Sequence, residues 1–203
     1  MIIIINYGIG NLDSVVRAFR RADAEVAISS TREDLSAAEG IVLPGVGSFG
    51  QAMASLRESG LLPVLNQKVL ENHTPVLGIC LGFQMFTRCS EEGDAEGLGW
   101  IEGQTRRLSS GPLPIPHIGW NDLARRGDSV LLAGVPDDAC FYFAHSYFVE
   151  CREDAVLATT DYGMPFAAAV EAGPIFGTQF HPEKSLANGL KVVRNFVEYC
   201  RRA

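Results

Sequence analysis

The chain has 203 residues, 47% of them hydrophobic, with 24 acidic against 17 basic side chains and a formal charge of −7. That length suits a single α/β domain over 1–203, burying roughly 70% of its unfolded surface, and leaves no room for a second catalytic domain. The acidic balance argues against nucleic acid or an anionic membrane as main partner, with the basic pairs Arg20-Arg21, Arg106-Arg107 and Arg125-Arg126 read as solvated faces.

Taken in order, Ile2 to Ile5 reads as a buried parallel strand, too short before Asn6 to be a signal-peptide core. Asn11 or Asp13 is expected to cap a helix running through Arg21, with Val15, Val16, Ala18 and Phe19 on its inner side. Glu25 to Ser29 and Gly40 to Leu43 follow as short strands, separated by a capped helix start at Thr31-Arg32-Glu33-Asp34. Helical patterns cover Phe49 to Ser59 and Leu61 to Asn72, and the apolar run Val76 to Ile79 supplies the next strand.

Beyond Gly97 the texture turns to short β-type runs: Cys140 to Phe143, Tyr147 to Cys151, Val156 to Thr160 and Ile175 to Phe180. An amphipathic helix over Leu186 to Arg202 closes the chain, with Leu190, Val193, Phe196 and Val197 on one side. The expected architecture is an open, mostly parallel sheet flanked by helices, with added antiparallel strands in the second half. No run approaches a membrane span, and five cysteines without metal-type spacing suit a reducing cytoplasm; neither metal nor cofactor is expected.

Chemistry concentrates at Gly78-Ile79-Cys80-Leu81-Gly82, where a thiol lies between a strand and a helix start. Small residues two positions either side let the backbone turn sharply, and helix N–H groups favour the thiolate. The segment Gln179-Phe180-His181-Pro182-Glu183-Lys184 offers partners, because residues two apart on extended chain face the same way. Cys80 is then the nucleophile, His181 the proton carrier and Glu183 the group that fixes the imidazole tautomer. Cys89, Cys140, Cys151 and Cys200 are read as packing residues.

An oxyanion formed at that site needs two donors. One is the N–H of Leu81; the other comes from Gly45, Val46 or Gly47 in Pro44-Gly45-Val46-Gly47, a string that taken alone reads equally as a β-to-α turn.

The elbow Gly78-Ile79-Cys80-Leu81-Gly82-Phe83-Gln84 with Gln179-Phe180-His181-Pro182-Glu183 resembles the class I, or triad, glutamine amidotransferases. Asn6 to Leu12, Pro44 to Gly47, Pro116-His117-Ile118-Gly119-Trp120-Asn121 and Tyr142 to Tyr147 extend the resemblance to glutaminase subunits of imidazole glycerol phosphate synthase. Ile118 stands where that motif more usually carries Met.

The resemblance implies glutamine hydrolysis through a Cys80 thioester, with Gln84, Glu92, His145, Ser146 and Tyr147 holding the substrate. It also implies a (βα)8-barrel cyclase partner met by His117, Trp120, Asn121 and Lys184. On the residues alone Glu92 reads also as a solvated charge, and Trp120 also as core. Two other functions fit less closely: a paralogous glutaminase feeding a sugar amidotransferase in surface-polysaccharide synthesis, and an inactive interaction subunit.

Overall fold

The computed structural model describes residues Met1–Ala203. Its first half alternates strand and helix: β1 (Ile2–Ile5), α1 (Leu12–Arg21), β2 (Val26–Ser29), α2 (Arg32–Ser36), β3 (Gly40–Gly45), α3 (Phe49–Glu58) and α4 (Leu62–Asn66). The helical path after α4 widens into a π turn at Gln67–Glu71, and β4 (Val76–Cys80) runs straight into the single-turn α5 (Leu81–Gln84).

Strands then dominate: β5 (Cys89–Ser90), β6 (Ala95–Glu96), β7 (Gly103–Arg107), β8 (His117–Asp122), β9 (Ala124–Arg125), β10 (Cys140–His145) and β11 (Tyr147–Cys151). After β12 (Val156–Asp161), β13 (Pro165–Ala172) and β14 (Ile175–Thr178), α6 (Leu186–Cys200) ends the fold. No helix is long and apolar enough to cross a membrane.

The main sheet has the order β2-β1-β3-β4-β14-β13-β12-β9. Its first five members are parallel and the last three antiparallel, as the change of texture after Gly97 predicts. β1 explains why the parallel part is apolar on both faces: Ile2 and Ile4 pack with α1 and α6, while Ile3 and Ile5 pack with α3 and α4. A two-stranded ribbon of β8 and β10 and a small sheet of β11, β7, β5 and β6 lie beside it.

Several local expectations need correction. Asn11 occupies the N-cap of α1 without a side-chain bond, so neither it nor Asp13 caps the helix, whereas Thr31 does accept from the Asp34 N–H at 3.3 Å. Arg125 is no solvated face: its guanidinium donates to the Val135 and Pro136 carbonyls. β13, β7 and β8 were absent from the strand expectation; β13 is rich in Ala, which carries little β preference, yet its middle is fully buried.

Candidate active site

Cys80 ends β4 with φ 53° and ψ −108°, a left-handed backbone conformation costly for any residue bearing a Cβ. Close packing imposes it. A Cβ on Gly82 would lie 1.8 Å from the Leu43 carbonyl oxygen, and one on Gly78 would lie 2.7 Å from the Phe83 backbone nitrogen. Only glycines let the turn press into β3 and β4, so the thiol is lifted to the carboxyl ends of the parallel strands, where such sheets hold ligands. The following helix is one turn long, so its first N–H groups, rather than a long-axis dipole, face the site.

His181 follows β14, its ring buried beside Cys80, and its Nδ1 lies 2.8 Å from Glu183 Oε1. The carboxylate reaches the imidazole through a 3-10 turn at Pro182–Lys184, not through strand alternation: Pro182 starts the turn and the chain folds back at once. The Glu183 side chain is itself buried, and its Oε2 has no hydrogen-bond partner. The Ser185 hydroxyl ties the segment down, donating to the His181 carbonyl at 2.6 Å and accepting from the Tyr142 N–H at 2.9 Å.

Burial alone would drive His181 toward its neutral form. The Cys80 sulfur and the Glu183 carboxylate together outweigh that and hold its pKa up at about 10. His145 goes the other way, pushed by burial to about 3, so its ring is neutral, while burial also lowers His117.

Cys80 and His181 open into a cavity of about 340 Å³, also lined by Val46, Gly47, Leu81, Gln84, Glu92, His145, Ser146, Tyr147 and Lys184. Nearly all of the expected substrate and oxyanion positions therefore meet at one place. Gly45 lies behind the wall, paired in register with Cys80. A larger hollow of about 850 Å³, lined by Asp128, Ser129, Asp154, Glu171, Glu198 and Tyr199, holds no thiol or imidazole, so the smaller one, with its thiol beside an imidazole–carboxylate pair, is the better site for chemistry.

Two pocket residues are more committed than expected. The Gln84 side-chain NH2 donates to the Tyr147 carbonyl at 2.7 Å and to Gln179 Oε1 at 3.1 Å, leaving its carbonyl as the group free for a ligand. Glu92 Oε2 accepts from the Phe49 N–H at 2.8 Å, capping α3 where Ser48 does not, so Glu92 is no simple solvated charge.

The motif at 117–121 divides by strand alternation. Trp120 (50% exposed) and Ile118 (62%) face outward, while His117 and Asn121 face in. His117 is therefore not a surface group: its ring stacks on Tyr162 at 4.0 Å and bonds His145 at 3.2 Å. Asn121 donates to the Asp161 carbonyl at 2.8 Å, and the Lys184 ammonium lies 5.7 Å from the centre of the Tyr142 ring.

Sequence reasoning passed over two residues. Buried Tyr7 donates from its hydroxyl to the Pro44 carbonyl at 2.7 Å, gripping the strand end that leads to Val46; burial and then the nearby Cys80 raise its pKa, so the phenol stays protonated. Gln179 Nε2 lies 3.6 Å from Cys80 Sγ. The alternation that set His181 and Glu183 on one side extends to it, because Gln179 stands two residues before His181 on the same run.

The sequence matches the family description "Glutamine amidotransferase class-I" over residues 3–199. The imidazole glycerol phosphate synthase subunit HisH of Methanosarcina mazei is 45% identical, covering 98% of each chain. That of Moorella thermoacetica is 44% identical over 100% of this chain and 96% of its own, and subunit HisH 2 of Pseudomonas aeruginosa is 42% identical over 98% and 99%. Among solved structures, a glutamine amidotransferase superposes with TM-score 0.78 at 19% identity, covering 98% of both chains. The Thermotoga maritima structure described as PurLQS gives 0.75 at 22% identity over 98% and 97%; at such identities the likeness speaks for the fold.

Proposed function

This chain belongs to the class I glutamine amidotransferase family, and from that premise we propose that it is the glutaminase subunit of an imidazole glycerol phosphate synthase, working in the cytoplasm. One observation carries the chemistry: a backbone-strained thiol and an imidazole open into one cavity, with a buried carboxylate behind the imidazole.

Glutamine enters with its side-chain amide over Cys80. The thiolate attacks the amide carbon, and the carbonyl electrons move to oxygen, which accepts from the Leu81 and Val46 N–H groups. His181 presents Nε2 to the reaction because Nδ1–H is held by Glu183. As the tetrahedral species collapses, the C–N bond breaks and the imidazolium gives its proton to nitrogen, releasing ammonia and a thioester. Water, deprotonated by His181, then cleaves the thioester to glutamate and frees the sulfur. The Gln84 carbonyl, Glu92, His145, Ser146 and Tyr147 hold the amino-acid end, with Glu92 suited to a substrate ammonium.

Ammonia reacts only as the neutral molecule, so it needs a sheltered acceptor. A cyclase partner of (βα)8-barrel fold supplies it, converting an aminoimidazole-carboxamide ribonucleotide intermediate to imidazole glycerol phosphate. Val46 and Ile118 are exposed on the cavity rim, with Trp120 beside Ile118 on the same strand, an apolar surface suited to burial under that partner.

The test combines the chain with a cyclase subunit. Glutamate release is expected to be very low alone and to rise with cyclase and its acceptor ligand, and the pair should restore growth of a histidine auxotroph. Full-rate hydrolysis by the lone chain would overturn the partnered reading. Failure to complement despite good expression would favour the surface-glycan pathway.

A further inference from the structure

Gln179 is fully buried and joins the nucleophile to the far wall of the cavity through a chain of side-chain amides. The orientation of both amides follows from one main-chain group. A carbonyl oxygen only accepts, so the Gln84 atom 2.7 Å from the Tyr147 oxygen must be the NH2. That same nitrogen lies 3.1 Å from the Gln179 carboxamide, whose facing atom must then be oxygen. The Gln179 NH2 is left pointing at Cys80 Sγ, 3.6 Å away. His145 Nδ1 donates to the Tyr147 oxygen from another side at 2.8 Å, so the group that sets the sequence is itself fixed twice.

We propose that Gln179 is a further catalytic residue of this site, whose carboxamide N–H holds the attacking sulfur as thiolate and keeps it aimed into the cavity. A donor facing sulfur favours the charged form. The Ala144 carbonyl, 3.9 Å from Sγ, can be met only by the S–H form and works against it. The other titratable groups around the sulfur are His181 with Glu183 behind it, the protonated Tyr7 phenol, the neutral His145 ring and, lining the same cavity, Glu92, Tyr147 and Lys184. Of the surrounding side chains Gln179 is the one uncharged amide donor on the sulfur, so it acts without taking a proton from the cycle. The catalytic consequence rests on the glutaminase reading; the hold on the sulfur does not.

The test follows alkylation of Cys80 by iodoacetamide across pH, read by mass spectrometry of the peptide that carries it, in wild type, Gln179→Met and Gln179→Glu. The midpoint is expected to rise by about one pH unit in the Met variant, tenfold in thiolate fraction below the midpoint, and further in the Glu variant. With partner and acceptor ligand, kcat should fall about tenfold in Gln179→Met while KM holds. In wild type, the Gln179 side-chain amide protons should shift in NMR spectra with the same midpoint as alkylation, which needs no variant to fold.

An unchanged midpoint in a folded variant, or an amide signal blind to the ionisation of Cys80, would overturn the proposal. A wild-type complex that released no glutamate would sink the glutaminase reading instead and leave the alkylation result standing.

Discussion

The floor of the cavity and its rim are built on opposite principles. At the floor, glycines serve contact: Gly82 and Gly78 have no room for a methyl group, and a Cβ on Gly45 would lie 2.8 Å from the Gly82 nitrogen and 3.0 Å from the Tyr7 hydroxyl. At the rim, Gly47 has φ 96° and nothing within 4 Å of its missing Cβ, and Val46 beside it is 40% exposed. Of the two glycines flanking Val46, only Gly47 is unconfined. The nucleophile is thus fixed by packing, whereas the second oxyanion donor sits where the chain can still adjust.

Substitutions can break that contrast or sharpen it. Cys80→Ala should abolish glutamate release, about 10³-fold or more, while the assembled complex still runs on added ammonium at alkaline pH. Loss of both activities would mean that the floor also shapes the partner's site. Gly82→Ala forces a methyl group into the Leu43 carbonyl and should cost at least about 3 kcal/mol in denaturant unfolding.

Glu183→Gln should lower kcat about 10²-fold and move the alkaline limb of the pH profile downward. The sign follows from the carboxylate, which raises His181: removing it lets the imidazolium lose its proton below about pH 10. Trp120→Ala should leave the unfolding midpoint of the isolated chain in place yet weaken cyclase binding by about 2 kcal/mol in titration calorimetry. Gly47→Ala has the smallest expected cost, about 1 kcal/mol from backbone conformation alone; a cost matching that of Gly82→Ala would erase the distinction between floor and rim.

The parallel half of the fold was legible because its strands announce themselves: isoleucines at 2–5, apolar residues at 40–43 and 76–79, each bounded by turn chemistry. The meeting of Cys80 with His181 and Glu183 could also be anticipated, although the turn that brings Glu183 round could not, since strand alternation and a 3-10 turn at Pro182 predict the same neighbours. β13 stayed hidden because burial, not residue preference, makes it a strand. His117 was misplaced because its motif was read as one surface, when a strand divides it between two faces. Tyr7 acts across 37 residues to Pro44, where no local pattern points to it, while Gln179, 99 residues from Cys80, could be reached only by extending the alternation back from His181.

Ser185 reinforces a join that the main chain already makes, since the His181 N–H donates to the Tyr142 carbonyl at 2.9 Å. Its oxygen clasps the main chain of His181 and of Tyr142, and Tyr142 stands opposite Trp120 across the ribbon of β8 and β10. The exposed indole is therefore mechanically geared to the proton carrier through one strand pair, a main-chain hydrogen bond and one hydroxyl, and a load placed on the outer face of the ribbon is also a load on the base.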